Sequence, residues 1–211
     1  MKIPSSDTSS QENSSELRLP KILLLEGKDE ELLIGKLLKQ MNIADVQCID
    51  IEGKPQFPPT IRALRRRTGF EKIVMVGLVA DADTELASST FDSLKYHLQK
   101  AEFIIPDRLA ALSSGSPQIG IFVLPDNHRQ GMLEDLCLES ISQDSLSCVD
   151  DFMRCSGIES QDIHFAKRRA LAFLATSKGV VNQVGLAAQK SIWNFDHPCF
   201  DGLKAFLKQF R

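Results

Sequence analysis

Four short stretches of the chain are rich in apolar and β-branched residues: Ile22–Leu25 (ILLL), Val46–Ile51 (VQCIDI), Ile73–Val79 (IVMVGLV) and Ile119–Leu124 (IGIFVL). Each is too short for a confident helix, so each predicts a strand, the third and fourth buried on both faces. Between them the apolar spacing becomes helical. Glu30–Gln40 carries Leu32, Leu33, Leu37 and Leu38; Glu85–Ala101 carries Phe91, Leu94, Leu98 and Ala101; Gly131–Ile141 (GMLEDLCLESI) continues the pattern. Gly27 permits a sharp turn into the first helix, with Asp29 as its expected N-cap. Gly53–Pro59 (GKPQFPP) predicts a proline-rich loop, Thr60–Arg67 a short helix, and Ile104–Gln118 a loop with a short helix near Leu109–Leu112. Repeated strand-then-helix units require parallel strands joined by right-handed crossovers. The predicted fold is therefore α/β, a doubly wound, mainly parallel Rossmann-like sheet.

Beyond Gln143 the strand signals stop. Leu146–Cys155, His164–Thr176, Val181–Lys190 and Cys199–Phe210 read as helices separated by Gly157, Gly179 and Pro198. The opening stretch MKIPSSDTSSQENSSEL is dominated by Ser, Asp, Glu, Asn and Gln, which bury too little apolar area to offset the entropy of ordering. The expected organisation is a disordered tail over residues 1–18, an α/β domain over 19–143 and an all-helical extension over 144–211 packed on it.

A chain of 211 residues with 43% hydrophobic content can form a substantial core. Its net charge of -3 argues against a generally basic nucleic-acid coat, so a polyanion would be held locally or through metal ions. Arg62, Arg65, Arg66 and Arg67 form the one dense basic cluster, read as a solvated helix face or, alternatively, a phosphate-backbone contact. Five cysteines are odd in number and contain no C-x-x-C pair, which argues against a disulfide framework and a zinc ribbon. His97, His128, His164 and His197 show no ligand spacing. The N-terminus lacks a signal-peptide pattern and no apolar run approaches bilayer length, so the expected setting is the cytoplasm, with no membrane partner.

The candidate chemistry lies where the third predicted strand ends, in Asp81-Ala82-Asp83-Thr84. In an extended chain alternate side chains share a face, so Asp81 and Asp83 are expected to point the same way. Two close anions repel unless a divalent cation offsets them; the competing reading is that both cap the following helix. Glu26 ends the first predicted strand, at the sheet edge where open α/β folds bind ligands. If those strands are neighbours, Glu26, Asp81 and Asp83 converge and would bind Mg²⁺ or Mn²⁺.

At these residues the chain resembles the Toprim domain shared by topoisomerases, primases and OLD-family nucleases. The resemblance is carried by Leu24-Leu25-Glu26-Gly27-Lys28-Asp29 followed by Asp81-Ala82-Asp83, and covers about residues 20 to 140. It is closer to a family of small Toprim-related proteins of uncharacterised function, through Pro125-Asp126-Asn127, Gly131-Met132-Leu133-Glu134-Asp135 and Lys167-Arg168-Arg169-Ala170-Leu171. The resemblance implies that Glu26, Asp81 and Asp83 hold one metal ion and that Glu30 and Glu134 help hold a second. Asp126 is a further metal candidate. Lys167 would match a lysine that stabilises the transition state. Glu30 is otherwise a helix-start charge, Asp126 the acceptor of an Asx-turn, and Lys167 one more charge on an amphipathic helix.

The implied function is a Mg²⁺- or Mn²⁺-dependent phosphodiester hydrolase, a nuclease or nicking enzyme, with one or two ions and DNA or RNA as substrate. A partner ATPase or a homo-oligomer would complete it, since no ATPase is attached. Two rivals remain. Asp81-Ala82-Asp83-Thr84 also resembles the D-x-D-x-T signature of haloacid-dehalogenase-type phosphatases, but another strand precedes it here and no later strand ends in paired acids. The second is a non-catalytic Toprim module serving as a nucleic-acid or protein-docking platform.

Overall fold

Successive residues of the first strand face opposite hydrophobic clusters, Ile22 and Leu24 on one side and Leu23 and Leu25 on the other. Such a strand needs cover on both faces, and the chain supplies it with helices. The computed structural model describes residues 16–162, 164–177 and 179–211. The strands are β1 (Lys21–Leu25), β2 (Val46–Asp50), β3 (Met75–Asp81) and β4 (Gln118–Leu124), all parallel, in the order β2-β1-β3-β4. The connecting helices are α1 (Lys28–Gln40), α2 (Phe57–Leu64), α3 (Ala87–Lys100) and α4 (Leu133–Glu139). The doubly wound sheet expected from the sequence is thus the fold observed.

The register decides what meets at the top of the sheet. Leu25 lies opposite Asp50 on β2 and opposite Val79 on β3. β3 runs two residues further, pairing Ala80 and Asp81 with Val123 and Leu124 of β4. Asp81 therefore stands beside the turn that begins at Glu26.

One face is covered by α2 and α3, through Phe57, Ile61, Leu64, Phe91, Leu94 and Leu98. The other is covered by α1 and by the C-terminal helices α5 (Gln143–Cys155), α6 (Phe165–Ala175), α7 (Val184–Gln189) and α8 (Asp201–Lys208), which share one cluster with Leu23, Val79 and Phe122. Two glycines on the sheet let α8 and the chain after it approach. A Cβ at Gly77 would come within 2.6 Å of Phe210 Cζ, and one at Gly120 within 2.9 Å of Phe206 Cε2. Beside α1, α7 is as close, since a Cβ at Gly185 would meet Asp29 Cα at 2.8 Å. The helical third thus completes one layer of the sandwich.

Several local expectations are corrected. The segment read as a proline-rich loop is a short 3-10 turn, Lys54–Gln56, leading into α2 at Phe57. Pro58 and Pro59 sit in its first turn, where no N–H is needed, and Phe57 is buried. No helix forms at Leu109–Leu112. Instead Ala110 N donates to Ile121 O and Ser113 N to Ile119 O, both at 2.8 Å, covering the outer edge of β4. Gly27, in extended conformation, is the N-cap of α1, and Asp29 lies in the first turn. Most of the expected tail lies outside the described residues. Leu17 belongs to the folded part: its N–H donates to Thr68 O at 2.9 Å and its side chain is buried.

Candidate metal centre

Glu26 follows β1, Glu30 lies in the first turn of α1, Asp81 ends β3, Glu134 lies in the first turn of α4 and Lys167 lies on α6. All five line one cavity of about 390 Å³ at the carboxyl ends of the strands. Glu30, Asp81 and Glu134 are 7%, 6% and 8% exposed. Unpaired carboxylates are seldom buried to this degree in a fold without a ligand. The same wall includes Asp29, Asp50 and Glu52, so among the described residues that line it seven carboxyl groups accompany two ammonium groups, Lys28 and Lys167.

Backbone amides fix two of the acids. The Asp81 N–H donates to Glu26 Oε2 at 3.2 Å, and the Leu133 N–H donates to Asp81 Oδ1 at 3.0 Å. Among the described residues no donor takes the second oxygen of either carboxylate.

The electrostatics agree in sign across the group. Burial, then repulsion from Glu26, Glu134 and Asp29, pushes Glu30 up to about 7. Asp81 lies well above the usual carboxylate range through burial and the charges of Glu30, Glu26, Glu134 and Asp83. Burial also raises Glu26, against lowering by the Asp81 amide and by the Lys54 and Lys167 ammonium groups. Burial raises Glu134, against lowering by Lys167. Each group resists losing its proton because others like it are near and water is scarce.

Asp83 does not follow Asp81 into this group. Extended geometry ends at Ala82, whose N–H donates to Leu124 O at 3.1 Å, and Asp83 takes a left-handed backbone with φ 58°. Its peptide N–H and C=O pair with Gly131, and its carboxylate, 42% exposed, binds Lys54 Nζ at 2.7 Å. The same Nζ donates to the Asp81 carbonyl at 2.7 Å. The shared face expected of Asp81 and Asp83 is lost, and Asp83 sits on the rim, close enough to raise Glu26. Asp126 is elsewhere: Oδ1 accepts from His128 N at 2.9 Å and Arg129 N at 3.0 Å, and Oδ2 pairs with Arg129 Nε at 2.9 Å. That is the Asx-turn reading of Asp126.

Asp50 and Glu52 escaped the sequence reading. The rule that pointed to Glu26, a carboxylate at the carboxyl end of a parallel strand, applies equally to Asp50. Asp29 also proved to have a partner distant in sequence: its Oδ1 accepts the Gly185 N–H at 2.8 Å and anchors α7 beside the cavity. Trp193 Nε1 donates to Val184 O at 2.9 Å and steadies the same helix.

Whether these residues suit a metal ion has two answers. The donor set is that of a hard divalent cation, all carboxylate oxygen. Among the described residues, however, no three carboxylate, imidazole or thiolate groups are gathered closely enough to hold one ion together. The chemistry fits, and the spacing requires the side chains to draw inward.

Known proteins resemble the chain in outline. The C-terminal region of the OLD protein of Xanthomonas campestris pv. campestris is 12% identical, with 91% of this chain and 96% of that one covered and a TM-score of 0.46. The C-terminal region of the Burkholderia pseudomallei OLD protein is 15% identical, with 83% of this chain and 100% of that one covered and a TM-score of 0.40. Likeness at this level transfers no residue role. No helix among the described residues is long and apolar enough to cross a membrane. No curated protein matches the chain. Over residues 20–211 the sequence matches the profile of DUF3226, described as a protein of unknown function, and the chain belongs to that family.

Proposed function

We propose that the carboxylate cavity hydrolyses phosphodiester bonds of DNA or RNA with Mg²⁺ or Mn²⁺. The reading rests on one observation: Glu26, Glu30, Asp81 and Glu134 line one cavity from four separate elements, the last three of them buried, and all four are pushed toward the protonated form. Burying such a group is costly unless cations occupy the space between its members. Glu26 and Asp81 would hold the ion, joined by Glu30 and Glu134. When bound, it supplies Lewis acidity toward a phosphate oxygen and lowers the pKa of a coordinated water.

The chain's own residues do the rest. Amide donation from Asp81 and Leu133 orients the two central carboxylates before any ligand arrives. Lys167 lines the cavity from α6, where its ammonium group can offset charge on a phosphate or on the departing oxygen. Gln183, at the start of α7, offers a neutral donor and acceptor on the same wall.

The test is incubation of the purified protein with labelled single- and double-stranded DNA and RNA, in Mg²⁺ or Mn²⁺, beside Asp81→Ala. Cleavage by the native protein alone supports hydrolysis; equal products from both remove it. A second reading is a non-catalytic docking platform, since among the described residues the carboxylates line the cavity without three of them close enough to hold one ion. Cation-dependent thermal stabilisation without products would select that platform.

A further inference from the structure

We propose that a second cavity, along the open edge of β2, binds an unpaired nucleobase of the substrate strand, with Arg67 as its principal donor. This deepens the nucleic-acid reading above and rests on it for the identity of the ligand. It narrows the substrate to single-stranded nucleic acid.

Arg67 follows α2, and its Nη1 is the one buried side-chain nitrogen or oxygen among the described residues with no hydrogen-bond partner. A guanidinium nitrogen withdrawn from water without an acceptor is costly, and an acceptor brought by a ligand would remove that cost. Arg67 lines a cavity of about 480 Å³, within the ~300–1,000 Å³ typical of small-molecule pockets. The other walls are the β2 edge from Gln47 to Ile51, Lys28 and Glu31 of α1, and Thr60 of α2.

The order β2-β1-β3-β4 leaves the outer side of β2 unpaired. Ile51 N bonds inward to Leu25 O, so alternation turns the peptide groups of Cys48 and Asp50 to the open side. Backbone donors and acceptors there, with the Thr60 hydroxyl and the Arg67 guanidinium, suit a planar group carrying both kinds of atom on its edge.

Charge separates a base from a second phosphate. Lys28 and Arg67 face Glu31, Asp50 and Glu52, and Lys28 is already paired with Glu31 at 2.5 Å. A wall with three acids and two bases repels a phosphate and accommodates a neutral base, whose ring N–H or amino group finds a carboxylate and whose carbonyl or ring nitrogen finds Arg67.

Lys28, Asp50 and Glu52 also line the carboxylate cavity, so the two spaces adjoin. A phosphate in one and a base in the other would belong to the same or neighbouring nucleotides. A base reaches such a recess only when unstacked and unpaired, which a single strand provides without the cost of opening a duplex.

The probe is a pair of fluorescein-labelled thymidine octamers of equal length and charge, one normal and one with abasic sites throughout, measured by anisotropy in Ca²⁺. The native protein is expected to bind the normal octamer about tenfold tighter, the effect of one charge-assisted hydrogen bond. Arg67→Ala is expected to weaken binding of the normal octamer about tenfold more than that of the abasic one, bringing the two affinities together. Equal affinity of the native protein for both octamers, or binding to neither, overturns the proposal, and this arm needs no variant. A loss by Arg67→Ala for both octamers alike, in protein whose circular dichroism and melting match the native, overturns it too by making Arg67 a phosphate contact. Base-dependent binding without cleavage would keep this cavity and remove the hydrolase; cleavage without base dependence would do the reverse.

Discussion

Across the boundary between β1 and β3, the backbone N–H of Asp81 donates to Glu26 Oε2 at 3.2 Å, joining two acids 55 positions apart in the chain. The bond stabilises ionised Glu26, whose charge in turn opposes ionisation of the buried Asp81 carboxylate. A site held in such opposition should respond sharply to the loss of one charge.

Asp81→Asn keeps an oxygen for the Leu133 N–H and removes the charge. The ligand-free variant should melt above the native protein, and any metal-dependent cleavage should fall by at least the ~10–100-fold that loss of a group merely supporting a metal ligand causes. Asp81→Ala should instead be less stable than the native protein by about 1–3 kcal/mol, because the Leu133 amide then lacks its partner. Calorimetry and a labelled-oligonucleotide assay on both variants check this.

Glu30 titrates at about 7 in the fold against an ordinary 4.5. The folded form holds this proton more tightly than the unfolded chain, so its stabilising contribution is full below about 4.5 and is lost as pH rises through about 7. Glu26, Asp81 and Glu134 shift in the same direction. In EDTA, stability should fall between pH 5 and 8, with Glu30 contributing at most about 3 kcal/mol. Glu30→Gln should flatten the profile, and saturating Mn²⁺ should reverse its slope. Thermal melts across that range decide it.

Lys54 binds the rim carboxylate of Asp83 and the Asp81 carbonyl. Because both partners in the ion pair are about a third or more exposed, Lys54→Met should change stability by less than about 1 kcal/mol. Removing that ammonium group should strengthen Mn²⁺ binding severalfold, since it competes with a cation for the same negative field. Titration calorimetry on the native protein and the variant measures it.

Two glycine-to-alanine changes test the packing of the C-terminal segment. At Gly77 the new methyl group collides with Leu23 Cδ2 and meets Phe210 Cζ at 2.6 Å, so Gly77→Ala should cost about 1–3 kcal/mol. At Gly35, within α1, nothing lies within 4 Å, so Gly35→Ala should stabilise by up to about 1 kcal/mol. Denaturant unfolding of both gives the contrast.

The four strands were legible because a strand buried on both faces must be apolar at nearly every position, as Val76, Leu78 and Val79 are. Glu26 and Asp81 were legible by position, each standing where an apolar run stops, whereas Glu30 and Glu134 entered through the resemblance to Toprim domains and Asp50 was passed over. The start of α2 was not legible, because Pro58 and Pro59 read as loop until Phe57 is seen buried beneath the sheet. Nor was the divergence of Asp81 and Asp83, since alternation holds only while the backbone stays extended, and the pairing of Asp83 with Gly131, 48 positions later, turns it aside.

The sequence by itself determined the four strands and most of the helices, and that acids stand at the ends of β1 and β3, because apolar period and strand termini are local properties of the chain. Which acids meet was a matter of strand order and register: Glu26 reaches Asp81 only because β1 lies beside β3, and Glu134 reaches both only through the return of the chain after β4. Burial, mutual repulsion and the unpartnered nitrogen of Arg67 belong to groups far apart in the chain and exist only once tertiary packing has brought them together and removed the water between them.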